Sequence, residues 1–325
     1  MSALNPRLPG QTSPAAVNAL CQLLESYLDH GVPVPQELLD LLPQDAFAAG
    51  TTAVPSTPAW SLPACFSPRY SAPTPTASMR KLGPVACHAV AKGLCRLCPP
   101  EPVDPARLRR LHDPTYVDAF LKGQEPLASV QGWPWTPAIR DGVLAINGGQ
   151  LLGAQLALEH GLAANIAQGF HHADYEAGGA FCTFNGLALV AQEFPDQRVF
   201  VLDCDEHGGN GTADFVSRLP NLFNFSIHGT PFGMFASERN CRRTLKPVTL
   251  DFGPYRRALQ EAFAEVERWR PGLILYQAGA DPHLDDPLGT LGMTTEQMFE
   301  RDRIVFDFCR RKQIPVLFVL AGGYQ

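Results

Sequence analysis

The C-terminal half of the chain alternates short, nearly unbroken apolar runs with longer stretches of helical period. Residues 198–205, 222–228, 272–278 and 315–320 are rich in Val, Ile, Leu and Phe. Between them, 255–269 and 294–312 repeat apolar residues at helical spacing. Continuous apolar strands separated by helices predict a mainly parallel sheet covered on both faces, a three-layer α/β/α fold. Upstream, residues 71–164 read as helical with Pro and Gly breaks, with helices expected over 105–112, 114–121 and 142–160. The segment 124–137, which carries Trp133 and Trp135, reads as a loop.

The first 63 residues differ from the rest. Nine prolines from Pro6 to Pro63 space out two short apolar segments. Ser13 can cap a helix opened by Pro14, and Val17, Leu20, Leu24, Tyr27 and Leu28 follow at helical spacing until Gly31. A second short helix is expected over 35–42. The division predicted is a Pro-rich helical extension (1–63) before a main domain (64–325), the extension covering that domain or joining a second subunit in a homo-oligomer.

Composition narrows the function classes. With 45% apolar and 18% charged residues, the chain is neither disordered nor built to span a bilayer. Its net charge of −6 predicts no broad nucleic-acid or anionic-membrane surface. No basic stretch followed by an apolar run opens the chain, so no secretory leader is expected. Nine scattered cysteines predict reduced thiols and a cytoplasmic location. Cys95-x-x-Cys98 lacks the second pair that a four-thiolate zinc site needs.

In open parallel sheets the ligand site lies beyond the carboxyl ends of the strands. Here those ends carry Asp203, Asp205 and His207, then Ser226 and His228, then Asp281, then Gly322, Gly323 and Tyr324. Strand alternation lets Asp203, Asp205 and His207 face one side, where two of them can bind one metal, with Asp281 as third ligand. Mixed imidazole and carboxylate donors suit Zn²⁺, or Fe²⁺ or Co²⁺, and three protein ligands with an open position mark a catalytic site. His171 and His172 supply imidazole bases beside the same edge. Tyr324 can donate to an oxyanion. Together these residues describe metal-assisted hydrolysis of an amide.

These segments resemble the zinc-dependent histone deacetylase family of the arginase/deacetylase superfamily. The resemblance rests on His171-His172, Gly179 to Cys182, Asp203-x-Asp205-x-His207 with Gly209-Asn210-Gly211, Gly279-Ala280-Asp281 with Asp286-Pro287-Leu288-Gly289, and Ala321-Gly322-Gly323-Tyr324. Upstream it takes in Leu111 to Tyr116 and Trp133 to Pro137, so it covers about residues 65–325, and it is closest to bacterial and class IV-like members. It implies an arginase/deacetylase-like fold and one Zn²⁺ per chain on Asp205, His207 and Asp281. It implies that His172 is the general base and acid, that His171 is its electrostatic partner bonded to Asp203, and that Tyr324 polarises the acyl carbonyl. Phe181 and Gly179 would line a substrate channel, with Phe232 or Phe235 opposite, and a K⁺ would sit near Asp203, Asp205, His207 and Ser226. The substrate implied is an N-acylated amine, such as acetyl-lysine or an acetylated polyamine.

Departures from the family pattern fall at Ala180, Gly186, Gly208 and Asn210, and the chain stops one residue after Tyr324, so a loosely tethered tyrosine loop and reduced activity are expected. Two other readings remain at this stage. One is a deacetylase-like scaffold of weak activity. The other is a two-manganese ureohydrolase, which requires an Asp where Gly279 stands.

Overall fold

The computed structural model describes residues 61–325. The two expected N-terminal helices lie outside these residues. Among the described residues, eight strands form one sheet: β1 (Leu62–Cys65), β2 (Cys95–Cys98), β3 (Leu162–Asn165), β4 (Val199–Asp203), β5 (Leu222–His228), β6 (Asn240–Thr244), β7 (Leu273–Gln277) and β8 (Val316–Val319). Their order is β2-β1-β3-β8-β7-β4-β5-β6, and every neighbouring pair is parallel. The expected 63/64 boundary falls inside β1.

Among the described residues, nine α-helices accompany the sheet: α1 (Ala77–Arg80), α2 (Leu82–Ala91), α3 (Pro105–Leu111), α4 (Pro114–Lys122), α5 (Pro137–His160), α6 (Gly186–Glu193), α7 (Asn210–Arg218), α8 (Gly253–Trp269) and α9 (Thr295–Lys312). Local chemistry sets their ends. Asp113 caps α4 by accepting from the Thr115 and Tyr116 N–H groups, Pro114 opens it, and Gly123 closes it with φ of 69°. Thr294 and Gln297 form a reciprocal capping box on α9, whose last turn carries Arg310, Arg311 and Lys312 against the helix dipole.

The two-residue period of β4 divides the core. Val199 and Val201 pack with residues of α5, α6 and α7, whereas Phe200, Leu202 and Cys204 pack with α8 and α9. The sheet is therefore covered on both faces, as the unbroken apolar runs predict. The run predicted over 198–205 ends as a strand at Asp203, because Asp205 N–H turns back to Asp203 Oδ1 (3.1 Å) and leaves the ladder. That early turn delivers Asp205 and His207 beyond the sheet edge.

Candidate metal centre and active site

Ligand atoms of Asp205, His207 and Asp281 lie within 4.8 Å of one another. His207 Nδ1 is 3.2 Å from Asp281 Oδ2 and 3.4 Å from Asp205 Oδ1. Burial, then the Asp205 carboxylate, raises Asp281 to about 7. Burial opposes charge on His207, but its bonds to Asp205 and Asp281 prevail and raise it to about 10. The cluster thus gathers protons to offset two buried carboxylates, a neutralisation that a divalent cation performs equally well. One imidazole and two carboxylates fit Zn²⁺ chemistry.

The backbone behind this cluster is braced. The buried Arg301 guanidinium donates to the carbonyls of Cys204 (3.2 Å) and Gly279 (2.8 Å), joining the ends of β4 and β7. At Gly279 any Cβ would meet Asp205 Cα and Asp281 Oδ1, both at 2.6 Å. A second carboxylate at 279, which a two-manganese centre requires, has no room.

The His171 and His172 rings lie against each other with centroids 4.0 Å apart and planes inclined at 46°. His171 Nδ1 meets Asp203 Oδ2 at 2.8 Å. Burial works against its charge, yet Asp203 and Asp205 raise it to about 9. His172 is driven the other way, well below the usual imidazole range, by burial and then by the charged His171. Its Nδ1 donates to Asn210 Oδ1 (2.7 Å), which leaves the Nε2 lone pair free.

Phe232 borders this pair, and Phe181 lies on the tyrosine side of the site. The Phe232 ring lies 4.3 Å from His172 and 6.0 Å from His207. Phe181 stacks on buried Trp133 (5.8 Å) and approaches Tyr324 (6.0 Å). Gly179 and Cys182 exchange backbone hydrogen bonds, and the turn between them holds Ala180 and Phe181 at φ of 43° and 66°. Of the two candidates opposite Phe181, Phe232 is the one whose ring lies beside the histidines; both Phe232 and Phe235 are exposed.

The expectation of a loose tyrosine loop is corrected. Tyr324 N–H donates to Asp286 Oδ2 (2.8 Å), and Gly322 N–H donates to Asp205 Oδ2 (2.8 Å). Lys81 Nζ donates to the carbonyls of Ala321, Gly322 and Gly323 at 2.9, 2.8 and 3.2 Å. Asp281 carboxylate atoms fill the space of a Cβ at 322, so glycine is required there. Burial, followed by Asp205 and Asp281, raises the Tyr324 phenol, which stays protonated as a donor.

Other quoted segments act as supports. His112 Nδ1 donates to Asp174 O (2.6 Å), its Nε2 accepts from Asn185 N–H (3.0 Å), and Tyr116 Oη donates to Thr183 O (2.8 Å). Together they hold both ends of the loop between His172 and α6. At Gly208, Pro231 O (2.5 Å) and Met234 Cγ (2.7 Å) fill the position of a side chain. Gly186 packs a Cβ-less face on Gln150 and Asn147 of α5. Lys81 and Arg301 were not found from sequence, because each acts on carbonyls far away in the chain and belongs to no local pattern. A cavity of about 480 Å³ beside Leu162, Phe306, Ile314 and Val316 opens at the opposite end of the strands and holds none of these groups.

An all-parallel three-layer sheet with these residues at its carboxyl edge is the architecture of the arginase/deacetylase class. Residues 76–325 match the family model described as histone deacetylase domain, and the chain belongs to that family. It is 36% identical over 232 residues to an uncharacterized protein of Picosynechococcus, covering 69% of this chain and 77% of that one. It is 35% identical over 189 residues to histone deacetylase 2 of Arabidopsis thaliana, covering 54% and 48%. It is 30% identical over 172 residues to acetylpolyamine amidohydrolase 1 of Pseudomonas aeruginosa, covering 47% and 48%. The chain spans about half the length of the latter two relatives. The crystal structure of acetylpolyamine aminohydrolase from Burkholderia pseudomallei shares the fold, with TM-score 0.69 at 20% identity over 82% of this chain and 94% of that one.

Proposed function

We propose that the protein hydrolyses the amide bond of an N-acylated amine, acetyl-lysine or an acetylated polyamine, releasing a carboxylate and a free amine. The observation that carries this reading is the pair of adjacent imidazoles beside the Asp-His-Asp cluster, one bonded to the Asp203 carboxylate and the other to the neutral Asn210 amide, partners that push their pKa values in opposite directions. Two neighbouring titratable groups pushed apart in pKa define an acid/base assignment. His172 takes the proton of the attacking water at Nε2 and returns it to the leaving amine. His171, held charged by Asp203, stabilises negative charge developing at the acyl oxygen, and the Tyr324 phenol donates to that oxygen. Phe181 and Phe232 form apolar walls for the acylated side chain and exclude water from it.

Asp205, His207 and Asp281 would hold one Zn²⁺, which supplies Lewis-acid polarisation of the carbonyl and a lowered pKa for bound water. A K⁺ near Ser226 belongs to the same proposal and predicts K⁺-dependent turnover. Domain use follows: residues 64–325 would carry the reaction, in the cytoplasm, with the extension before them serving cover or homo-oligomer contact. The test is turnover of a small panel of acetylated lysine peptides and acetylated polyamines by Zn²⁺-loaded protein. No hydrolysis of any member, with metal bound, would overturn the reading and favour a non-catalytic scaffold.

A further inference from the structure

Glu206 stands between two candidate ligands, yet its side chain turns away from them and is fully buried. Its Oε1 accepts from Thr290 Oγ1 (2.6 Å) and Thr230 Oγ1 (3.2 Å), and its Oε2 accepts from Leu291 N–H (3.2 Å). Its backbone takes part too. The Glu206 carbonyl accepts from the N–H groups of Gly229 (3.1 Å) and Thr230 (3.0 Å), and its own N–H donates to Asp281 Oδ1 (3.1 Å).

Two loops of the site therefore close on one carboxylate. The loop after β5 runs through Thr230 to Phe232, a non-glycine residue held at φ of 46° beside His172. The loop after β7 runs from Asp281 past Asp286, which holds the Tyr324 N–H, to Thr290 and Leu291. The two touch at Gly229, where Glu206 Oε1 and Thr290 Oγ1 occupy the place of a Cβ. A buried carboxylate needs its donors, so displacing either loop leaves charge unsatisfied. The free energy that keeps Glu206 bonded thus opposes movement of both loops.

We propose that Glu206 is a positioning residue that fixes the Phe232 wall of the channel and the Asp286–Tyr324 support in one relation to each other. The proposal rests on the acyl-amide reading above. Its action divides between the two hydroxyls. Thr230 governs how the channel accepts substrate, and Thr290 governs how the tyrosine loop meets the reacting carbonyl.

The experiment measures kcat and KM on an acetyl-lysine peptide for Zn²⁺-loaded wild type, Thr230→Val and Thr290→Val, together with amide hydrogen exchange of the metal-free proteins. Thr230→Val should raise KM about five- to tenfold with little change in kcat, and Thr290→Val should lower kcat by a similar factor with KM nearly unchanged. Thr230→Ser and Thr290→Ser, which keep the hydroxyl, should restore wild-type values. Exchange should quicken over 229–235 in the first Val variant and over 286–291 in the second. Unchanged kinetics in both Val variants, or equal losses that Ser does not restore, would overturn the proposal. Should wild type turn over no acyl amide, the functional reading fails, and exchange alone then decides: unchanged protection in both loops removes the clamp as well.

Discussion

Lys81 Nζ lies 2.8 Å from the carbonyl oxygen of Gly322, although 241 positions separate them in sequence. The ammonium group is buried, which lowers its pKa, while Asp281, Asp205 and Asp286 pull it back up. It caps three successive carbonyls outside any strand or helix, of which that of Gly322 also accepts from Ala280 N–H (3.0 Å), and so helps to fix the backbone that presents Tyr324. Lys81→Met should lower kcat by at least about tenfold, up to the ~10² to 10³-fold that a misplaced oxyanion donor costs. Metal content should stay at the wild-type level. Loss of metal in parallel with rate would show that Lys81 supports the ligand cluster and not the tyrosine loop.

Ligands and bases should separate cleanly. Asp205→Ala and His207→Ala should lose both metal and turnover, while His171→Ala and His172→Ala should retain metal and lose roughly 10² to 10⁴ in rate, the usual span of base catalysis. A linear hydroxamate, a bidentate oxygen chelator on an apolar linker, should inhibit wild type. Full metal occupancy in Asp205→Ala, measured by elemental analysis, would remove Asp205 from the ligand set.

Ala180 sits at φ of 43°, where a Cβ is disfavoured. Such strain costs about 1 kcal/mol, part of which the added flexibility of glycine in the unfolded chain cancels. Ala180→Gly should stabilise the protein by about 0.5 kcal/mol, read as a small rise in urea midpoint. A fall in midpoint would show that the Ala180 methyl packs favourably enough to outweigh the strain.

His112 should make folding sensitive to mild acid. Burial, only partly offset by bonds to the backbone of Asp174 and Tyr175, lowers it to about 4 from an ordinary 6.5. Above pH 6.5 the ring is neutral folded and unfolded, so nothing changes. Below it the unfolded chain binds a proton that the folded protein refuses, and stability falls as pH drops towards about 4. The loss between pH 7.5 and pH 5 is about 2 kcal/mol. His112→Asn removes this part of the slope. Urea unfolding at both pH values, in one metal state, compares the two proteins; identical slopes would show that His112 does not titrate in this way.

The strands that lead into the candidate ligands were legible because each is buried on both faces and so reads as an unbroken apolar run, as in the Phe200, Val201 and Leu202 of β4. β1, β2 and β3 were not. Each has four residues, and their Pro63, Cys and Ala positions merge with the flanking helical pattern. β6 reads Asn-Cys-Arg-Arg-Thr, a polar edge strand held by pairing with β5. In the site, Asp205, His207 and Asp281 announced themselves within contiguous segments. What Lys81, Arg301 and Glu206 do depends on which loops the fold brings to them, and no spacing in the chain encodes that.

Met234 occupies the ground that a larger residue at 208 would need. The Pro231 carbonyl stands closer still, so the gap in the family pattern at 208 is filled by the backbone of the loop after β5 as well as by one of its side chains. An engineer who restores histidine or glutamine at 208 must therefore move the 231–234 backbone outward as well as shorten the side chain at 234, because trimming Met234 alone leaves the Pro231 carbonyl in place.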